Sequence, residues 1–412
     1  QFHDYIPGSS IWEVYEEGLA ELKAITENAL ASSARELTQK GGKPGFFNPL
    51  PIERITLTAN GEKAVRLGPL SGGPESGLSV VEVSGGVTAS ARSLKSALVS
   101  AAFDGKGQIS ALSFAGGTIP VRGPLGAVVV YPDVPHQFEA WDIDLQTLTL
   151  GQVAEASAKA TVTANGPLEQ TVGFLRKIGA KSEMVVRYRL DAFQPVLHIE
   201  YEIDWHEEQT LLRVLFPTAF DGRMARFGAP FGSVLRSQQA GPPRDEAMFE
   251  GPGSRWAIVS DDSESAGLAV ITEAKYGFSC REGTIGVSLI RSPRVTGEDP
   301  DHRRLFPLAL RRGGARPFYS DQGTHSIKLA LAYHGTGLPR TQLAPALAET
   351  LFTPPVACRT AAMDSGFLGI EGGESLIPCW AKPAEDGDGW ILRLHETFGH
   401  RGKAKLKLRE GF

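Results

Sequence analysis

The sequence predicts a mainly β protein, in which a short helical N-terminal segment is followed by packed antiparallel β-sandwich domains. Three observations point there. A helical apolar period is confined to the residues before Gly41-Gly42-Lys43-Pro44-Gly45. From residue 46 onward apolar residues alternate with polar ones, the period of a strand with one buried and one wet face. Gly (47) and Pro (27) are abundant beside 42% apolar residues, a balance that fits a turn-rich globular protein rather than a disordered one.

The helix comes first. Ser10 and Glu13 form an S-x-x-E capping box, which satisfies two backbone donors of the first turn. Ile11, Tyr15, Leu19, Leu22, Ile25 and Ala29 then recur at spacings of three and four, so they share one face. No second helix of comparable length follows, and the stripe is expected to find partner helices upstream. Position 1 is not Met and no charged-then-apolar leader follows. The sequence is therefore read as the back part of a longer protein.

Strands follow in order. Ala97 to Phe103 and Gln108 to Phe114 flank Asp104-Gly105-Lys106-Gly107, a hairpin loop. Further strands are expected at Leu125–Tyr131, Met184–Leu190, Leu211–Phe216, Gly267–Ile271, Ile285–Ile290 and Ile327–Tyr333. The clearest alternation is Leu197, Ile199, Tyr201, Ile203 and Trp205 against His198, Glu200, Glu202 and Asp204. Near the end Ala404, Leu406 and Leu408 alternate with Lys403, Lys405 and Lys407, as in an edge strand protected by charge. The stretch Arg294–Tyr319 reads as a long inserted loop.

A chain of 412 residues supports two to three cores. The expected division is 1–42, the end of a helical middle domain; 43–120, a small β domain; 121–335, a large β-sandwich; and 336–412, a C-terminal β domain. Net charge is −5 with both signs interspersed, which leaves no electrostatic footprint for nucleic acid. Cys280, Cys358 and Cys379 are sparse and odd in number, which argues against a disulfide framework and for a reducing, cytoplasmic setting. No apolar run approaches the ~20 residues of a membrane span.

A set of short motifs carries a resemblance. In order they are Gln1-Phe2-His3-Asp4 with Pro7-Gly8-Ser9-Ser10, Phe47-Asn48-Pro49-Leu50, and Asp133 with Pro135 before Phe138-Glu139-Ala140-Trp141-Asp142-Ile143. Then come Asp204-Trp205-His206-Glu207, Lys275-Tyr276-Gly277, Arg291-Ser292-Pro293, Asp321-Gln322-Gly323-Thr324-His325 and Leu394-His395-Glu396. Their order and spacing resemble the C-terminal portion of retaining α-mannosidases of glycoside hydrolase family 38, in its cytosolic and bacterial branch.

The resemblance implies a divalent metal, zinc foremost and cobalt as an alternative, held by two His and two Asp and binding mannose hydroxyls. It places His3 as the last metal ligand in chain order and Asp4 as a sugar contact. It also implies that the nucleophile, the acid/base and the other ligands belong to an N-terminal catalytic domain, since no His-x-Asp pair occurs here. No catalytic residue is thus expected in this chain. Chemistry makes the same demand, because a retaining glycosidase needs two carboxyl groups about 5–5.5 Å apart. The expected function is the C-terminal part of an α-mannosidase acting on terminal α-mannosides, inactive alone. Its expected partners are the mannoside, that catalytic domain, and further copies of itself in a homo-oligomer. The alternative is a non-catalytic carbohydrate-binding or scaffolding module.

Other candidates have structural readings beside them. Arg291, at a strand end, is a candidate for bonding a substrate hydroxyl, against a structural ion pair. Trp141, Trp205 and Trp256 are assigned to the core rather than to sugar stacking. His206, His325 and Glu396 lack metal-ligand spacing and are expected to serve as structural hydrogen-bonding residues.

Overall fold

The computed structural model describes residues 12–137, 140–164, 166–239, 241–294, 319–361 and 368–408. The expected helix runs Trp12–Leu37, with Arg35 in its last turn where the helix dipole favours a cation. The Ser10 half of the capping box lies outside the described residues. Leu19, Leu22 and Ile25 of the apolar stripe are 65, 57 and 56% exposed. The helix is tied to the β region at its C-terminal end, where the Gln39 amide donates to the Arg359 carbonyl at 2.7 Å and Gln39 Oε1 accepts from the Ala361 amide at 2.9 Å.

The protein is mainly β, and its largest unit is a sandwich of two antiparallel sheets. We label its principal strands β1 (Ala127–Pro132), β2 (Glu169–Ile178), β3 (Ser182–Asp191), β4 (Val196–Trp205), β5 (Thr210–Pro217), β6 (Ala266–Thr272), β7 (Thr284–Arg291) and β8 (Gly323–Gly335). The six-stranded sheet has the order Gln152–Val153, β1, β5, β7, Gly277–Arg281, Gly251–Pro252. The nine-stranded sheet runs Ala156–Ala164, β2, β3, β4, β8, β6, Trp256–Ser260, Met224–Ala229, Gly232–Ser237. The two share one core, in which Val128, Phe216 and Ile285 from the first sheet join Tyr188, Tyr201 and Leu329 from the second.

β4 shows why the alternation was readable. Leu197, Ile199, Tyr201, Ile203 and Trp205 are all buried, while Glu202 and Asp204 face solvent. Each such burial contributes roughly 1.5–3 kcal/mol. His198 departs from the expected wet face: it is buried, with Nε2 3.4 Å from Asp191 Oδ2 on β3. A strand flanked on both sides by paired neighbours can bury a polar residue if its partner is buried with it.

The predicted hairpin forms between Val99–Phe103 and Ile109–Phe114. Asp104 Oδ1 accepts the amides of Lys106 and Gln108 at 2.8 and 2.9 Å, which closes the loop. Gly107 sits at φ +70°, and a Cβ there would fall 2.4 Å from the Phe174 ring, so both backbone and packing require glycine.

Several pairings span long stretches of sequence. Lys43–Phe47 pairs with Val356–Thr360, and Val121 bridges to Thr218. A second core gathers Ile52, Trp256, Ile377 and Phe398 around the short helix Ala344–Thr350. Residues 43–47 and 52 thus pack with residues beyond 340. The Lys405–Leu408 strand pairs with Leu368–Glu371, but its residues are exposed on both faces.

Two predictions follow from this packing. Ile199→Ala should cost about 2–5 kcal/mol by opening a core cavity, whereas Leu22→Ala on the exposed helix should stay within about 0.5 kcal/mol; urea unfolding measures both. Burial lowers the pKa of His198, reinforced by Arg189 and opposed by Asp191, from an ordinary value of 6.5. His334 and His395 shift the same way, also by burial. With folded pKa values depressed, the unfolded chain takes up protons first, so this stability is whole above about pH 6.5 and is lost as pH falls below it. The thermal midpoint should fall between pH 7 and pH 5, and fall less in His198→Gln.

Candidate functional site

Most of the motifs quoted from the sequence meet at one end of the sandwich. There β1 leads into Asp133, β4 ends at Trp205, β5 begins at Thr210, β7 ends at Arg291 and β8 begins at Gly323. Arg291 is the hub. Its Nε donates to Asp133 Oδ2 at 2.5 Å and its Nη2 to Asp133 Oδ1 at 3.3 Å, a two-pronged ion pair. The same guanidinium donates to the backbone carbonyls of Ala140 and Asp142. The Asp133 side chain is fully buried and that of Arg291 one-fifth exposed.

The next residue joins the two sheets. Ser292 Oγ accepts the indole N–H of Trp205 at 2.5 Å, and its backbone exchanges bonds with Gln209 and Thr210. The Gln209 carbonyl in turn accepts the Asp133 amide at 2.7 Å. Glu207 Oε1 accepts the Lys181 amide at 2.6 Å and the Ser182 hydroxyl at 3.0 Å, while its carbonyl accepts Gln322 Nε2 at 2.8 Å. Gly179, at φ +60°, lies against that carboxylate, and a Cβ there would come within 2.6 Å of Glu207 Cδ. Tight turn and carboxylate position are thus set together.

Asp321 and Lys275 bring opposite charges to the same rim. Surrounding protein raises the Asp321 acid above the ordinary carboxylate range, with His325 and Lys275 pulling it down. The residue as a whole is exposed. Burial lowers the Lys275 ammonium, opposed by Asp321. His325 Nε2 lies 2.6 Å from the Asp321 carbonyl, and His206 Nε2 lies 2.9 Å from Asp204 Oδ1.

Among the predicted site residues, Arg291 is therefore placed in this cluster, holding a buried carboxylate. His3 and Asp4 lie outside the described residues, as does the long loop between Arg294 and Tyr319. Trp205 and Trp256 are buried in the core. Trp141 is not: it is 57% exposed, because it sits in a turn after β1 rather than within a strand. Tyr276 is exposed as well. Glu396 stands apart from the cluster, its carboxylate accepting the Phe398 and Gly399 amides at 3.1 and 2.5 Å. Asn48 is buried and bonds the Ile52 and Gly68 carbonyls at 2.8 and 2.7 Å. The buried group of Glu169, Arg189, Asp191 and His198 was missed by sequence reasoning; its residues alternate along β2 to β4 just as solvent-facing charges would.

The glycosyl hydrolases family 38 C-terminal domain model matches residues 101–303, and the family 38 C-terminal beta sandwich domain model matches 376–412. Together they cover more than half of the chain. Alpha-mannosidase 2C1 of Homo sapiens is 28% identical over 389 residues, covering 86% of this chain and 36% of that protein. Alpha-mannosidase G of Dictyostelium discoideum is 25% identical over 377 residues, with 86% and 32% covered. The chain thus spans about a third of the length of these curated relatives. In fold it is similar to an alpha-mannosidase from Enterococcus faecalis V583, with a TM-score of 0.63 at 14% identity over 89% of this chain and 45% of that one.

Arg291→Ala should destabilise the sandwich by about 3–5 kcal/mol, because it removes the forked guanidinium from the buried Asp133 carboxylate. Arg291→Lys keeps the charge but loses the fork and should cost less. A double variant with Asp133→Ala should cost less than the sum of the single losses, a coupling read by denaturant unfolding.

Proposed function

This chain belongs to glycosyl hydrolase family 38 through its C-terminal β domains, and from that premise we propose that it serves a retaining α-mannosidase acting on terminal α-mannosides. The observation that carries this reading is the gathering of motifs from residues 133 to 325 around the Asp133–Arg291 pair at one end of the sandwich. That end forms a polar, rigid wall, with Arg291 partly open to solvent and Trp141 and Tyr276 exposed. Such a wall positions a sugar and excludes water, and Arg291 is the residue we assign to a substrate hydroxyl.

Cleavage itself is assigned elsewhere. The two carboxyl groups of a retaining mechanism come, in this reading, from an N-terminal catalytic domain of the kind that makes the relatives longer. His3 contributes one ligand to a divalent metal, zinc or cobalt, and Asp4 contacts the sugar. Among the described residues no three His, Cys, Asp or Glu side chains stand together to hold a metal ion. The metal is assigned to His3 together with ligands of the catalytic domain. A reducing, cytoplasmic setting accords with Cys280, Cys358 and Cys379 being free thiols. No described helix is long and apolar enough to cross a membrane.

In the complete enzyme, His3→Ala should lower bound metal and turnover of an aryl α-mannoside by more than about 100-fold, beyond the usual effect of an outer-shell change. The 412-residue chain alone should release no aryl group. Wild-type metal content and rate in the variant would overturn the ligand assignment. Hydrolysis by the isolated chain would overturn the division of labour, and no hydrolysis by any assembly containing it would favour the scaffolding module.

A further inference from the structure

A cavity lies at the opposite end of β8. It has a volume of about 840 Å³ and opens between the large sandwich and the C-terminal strands, lined among others by Arg226, Glu264, His334, Glu374, Phe398 and His400. β8 is thirteen residues long, so at ~3.3 Å per residue this cavity stands roughly 40 Å from the Gly323 end. A ligand held here does not touch the Asp133–Arg291 cluster.

The cavity has a built polar wall. Arg226 Nη2 and Nε donate to the two Glu264 carboxylate oxygens at 2.7 and 3.0 Å, and Arg226 Nη1 donates to Ser233 Oγ at 2.9 Å. The guanidinium also lies 5.3 Å from the centre of the Phe398 ring. On Phe398 the His334 ring stacks at 5.8 Å. His334 is 7% exposed, and its Nε2 has no hydrogen-bond partner. That nitrogen is covered by protein, so the His334 ring forms part of the cavity wall without offering it a polar contact. Burial holds this imidazole neutral near pH 7 by lowering its pKa, with the Glu264 carboxylate opposing.

The charge of the lining selects further. Asp262, Glu264 and Glu374 outnumber the single guanidinium of Arg226, which disfavours phosphate, sulfate and carboxylate ligands. Fixed donors and acceptors stand side by side at the Arg226–Glu264 pair, an arrangement that matches neighbouring hydroxyls on one ring. The volume falls within the ~300–1,000 Å³ of small-molecule sites. We propose that this cavity is a second binding site, for a neutral polyhydroxylated ligand of mono- to disaccharide size, with the Arg226–Glu264 pair as its polar anchor.

Saturation-transfer NMR on the full chain, with methyl α-mannoside and methyl α-glucoside as probes and choline as a cationic control, tests this. At least one glycoside should bind in preference to choline. Glu264→Gln removes the charged acceptor beside Arg226 and should weaken binding at least tenfold. Thr336→Trp, at an exposed position of the lining, obstructs the cavity without disturbing the core and should do the same. Absence of glycoside binding, preference for choline, or unchanged affinity in Thr336→Trp would each overturn the proposal. Hydrolysis is not read, so the outcome is independent of the mannosidase assignment.

Discussion

The ion pair between Asp133 and Arg291 is the contact on which one end of this molecule depends. It buries a carboxylate completely, which is tolerable only because a forked guanidinium meets both oxygens. Through Arg291 it fixes the turn carrying Ala140 and Asp142, and through the adjacent Ser292 it reaches Trp205 on the other sheet. Segments separated by more than 150 residues are held to one geometry by a few directional bonds. A well-packed hydrophobic replacement of such a pair can match it in stability, but it would not aim those turns. Specificity of shape, more than net stability, is what this pair contributes.

Around that lock the sandwich divides its work. Its middle is packed with apolar side chains, and its two ends carry the polar chemistry. At one end the family motifs form a continuous hydrogen-bonded rim; at the other His334 and the Arg226–Glu264 pair line a cavity. Both sites sit where strands stop pairing and backbone gives way to turns. Among the described residues, the polar groups at both ends are carried by the ends of rigid strands.

Much of the fold was legible because its signals were local. The alternation of β4, the Asp104–Gly107 hairpin and the apolar stripe of the first helix each lie within a single window of sequence. Trp141 was misread because an aromatic near a strand pattern looks the same whether it enters the strand or a turn beyond it. His198 was misread because a polar residue at an alternating position gives no sign that Asp191 on the neighbouring strand is buried with it. The pairing of Lys43–Phe47 with Val356–Thr360 had no local signature, since register over such a separation is set by the whole core. Arg291 was legible as a functional candidate, but its partner Asp133 emerged only from the folded arrangement. The chemistry assigned to His3 and Asp4 was legible through family resemblance alone.

The place of β8 bears on how this chain is made. It occupies the centre of the nine-stranded sheet, between β4 and β6, yet it is synthesised more than a hundred residues after β4. At ordinary translation rates that gap lasts on the order of ten seconds. During it β4, and after residue 272 β6 as well, presents an open edge of unpaired amides and carbonyls, and edges of this kind recruit other chains. A ribosome stalled before Gly323 would therefore hold out two half-sheets with no strand to join them. For this protein the quality of the product rests on what shields those edges while the last central strand is still being translated.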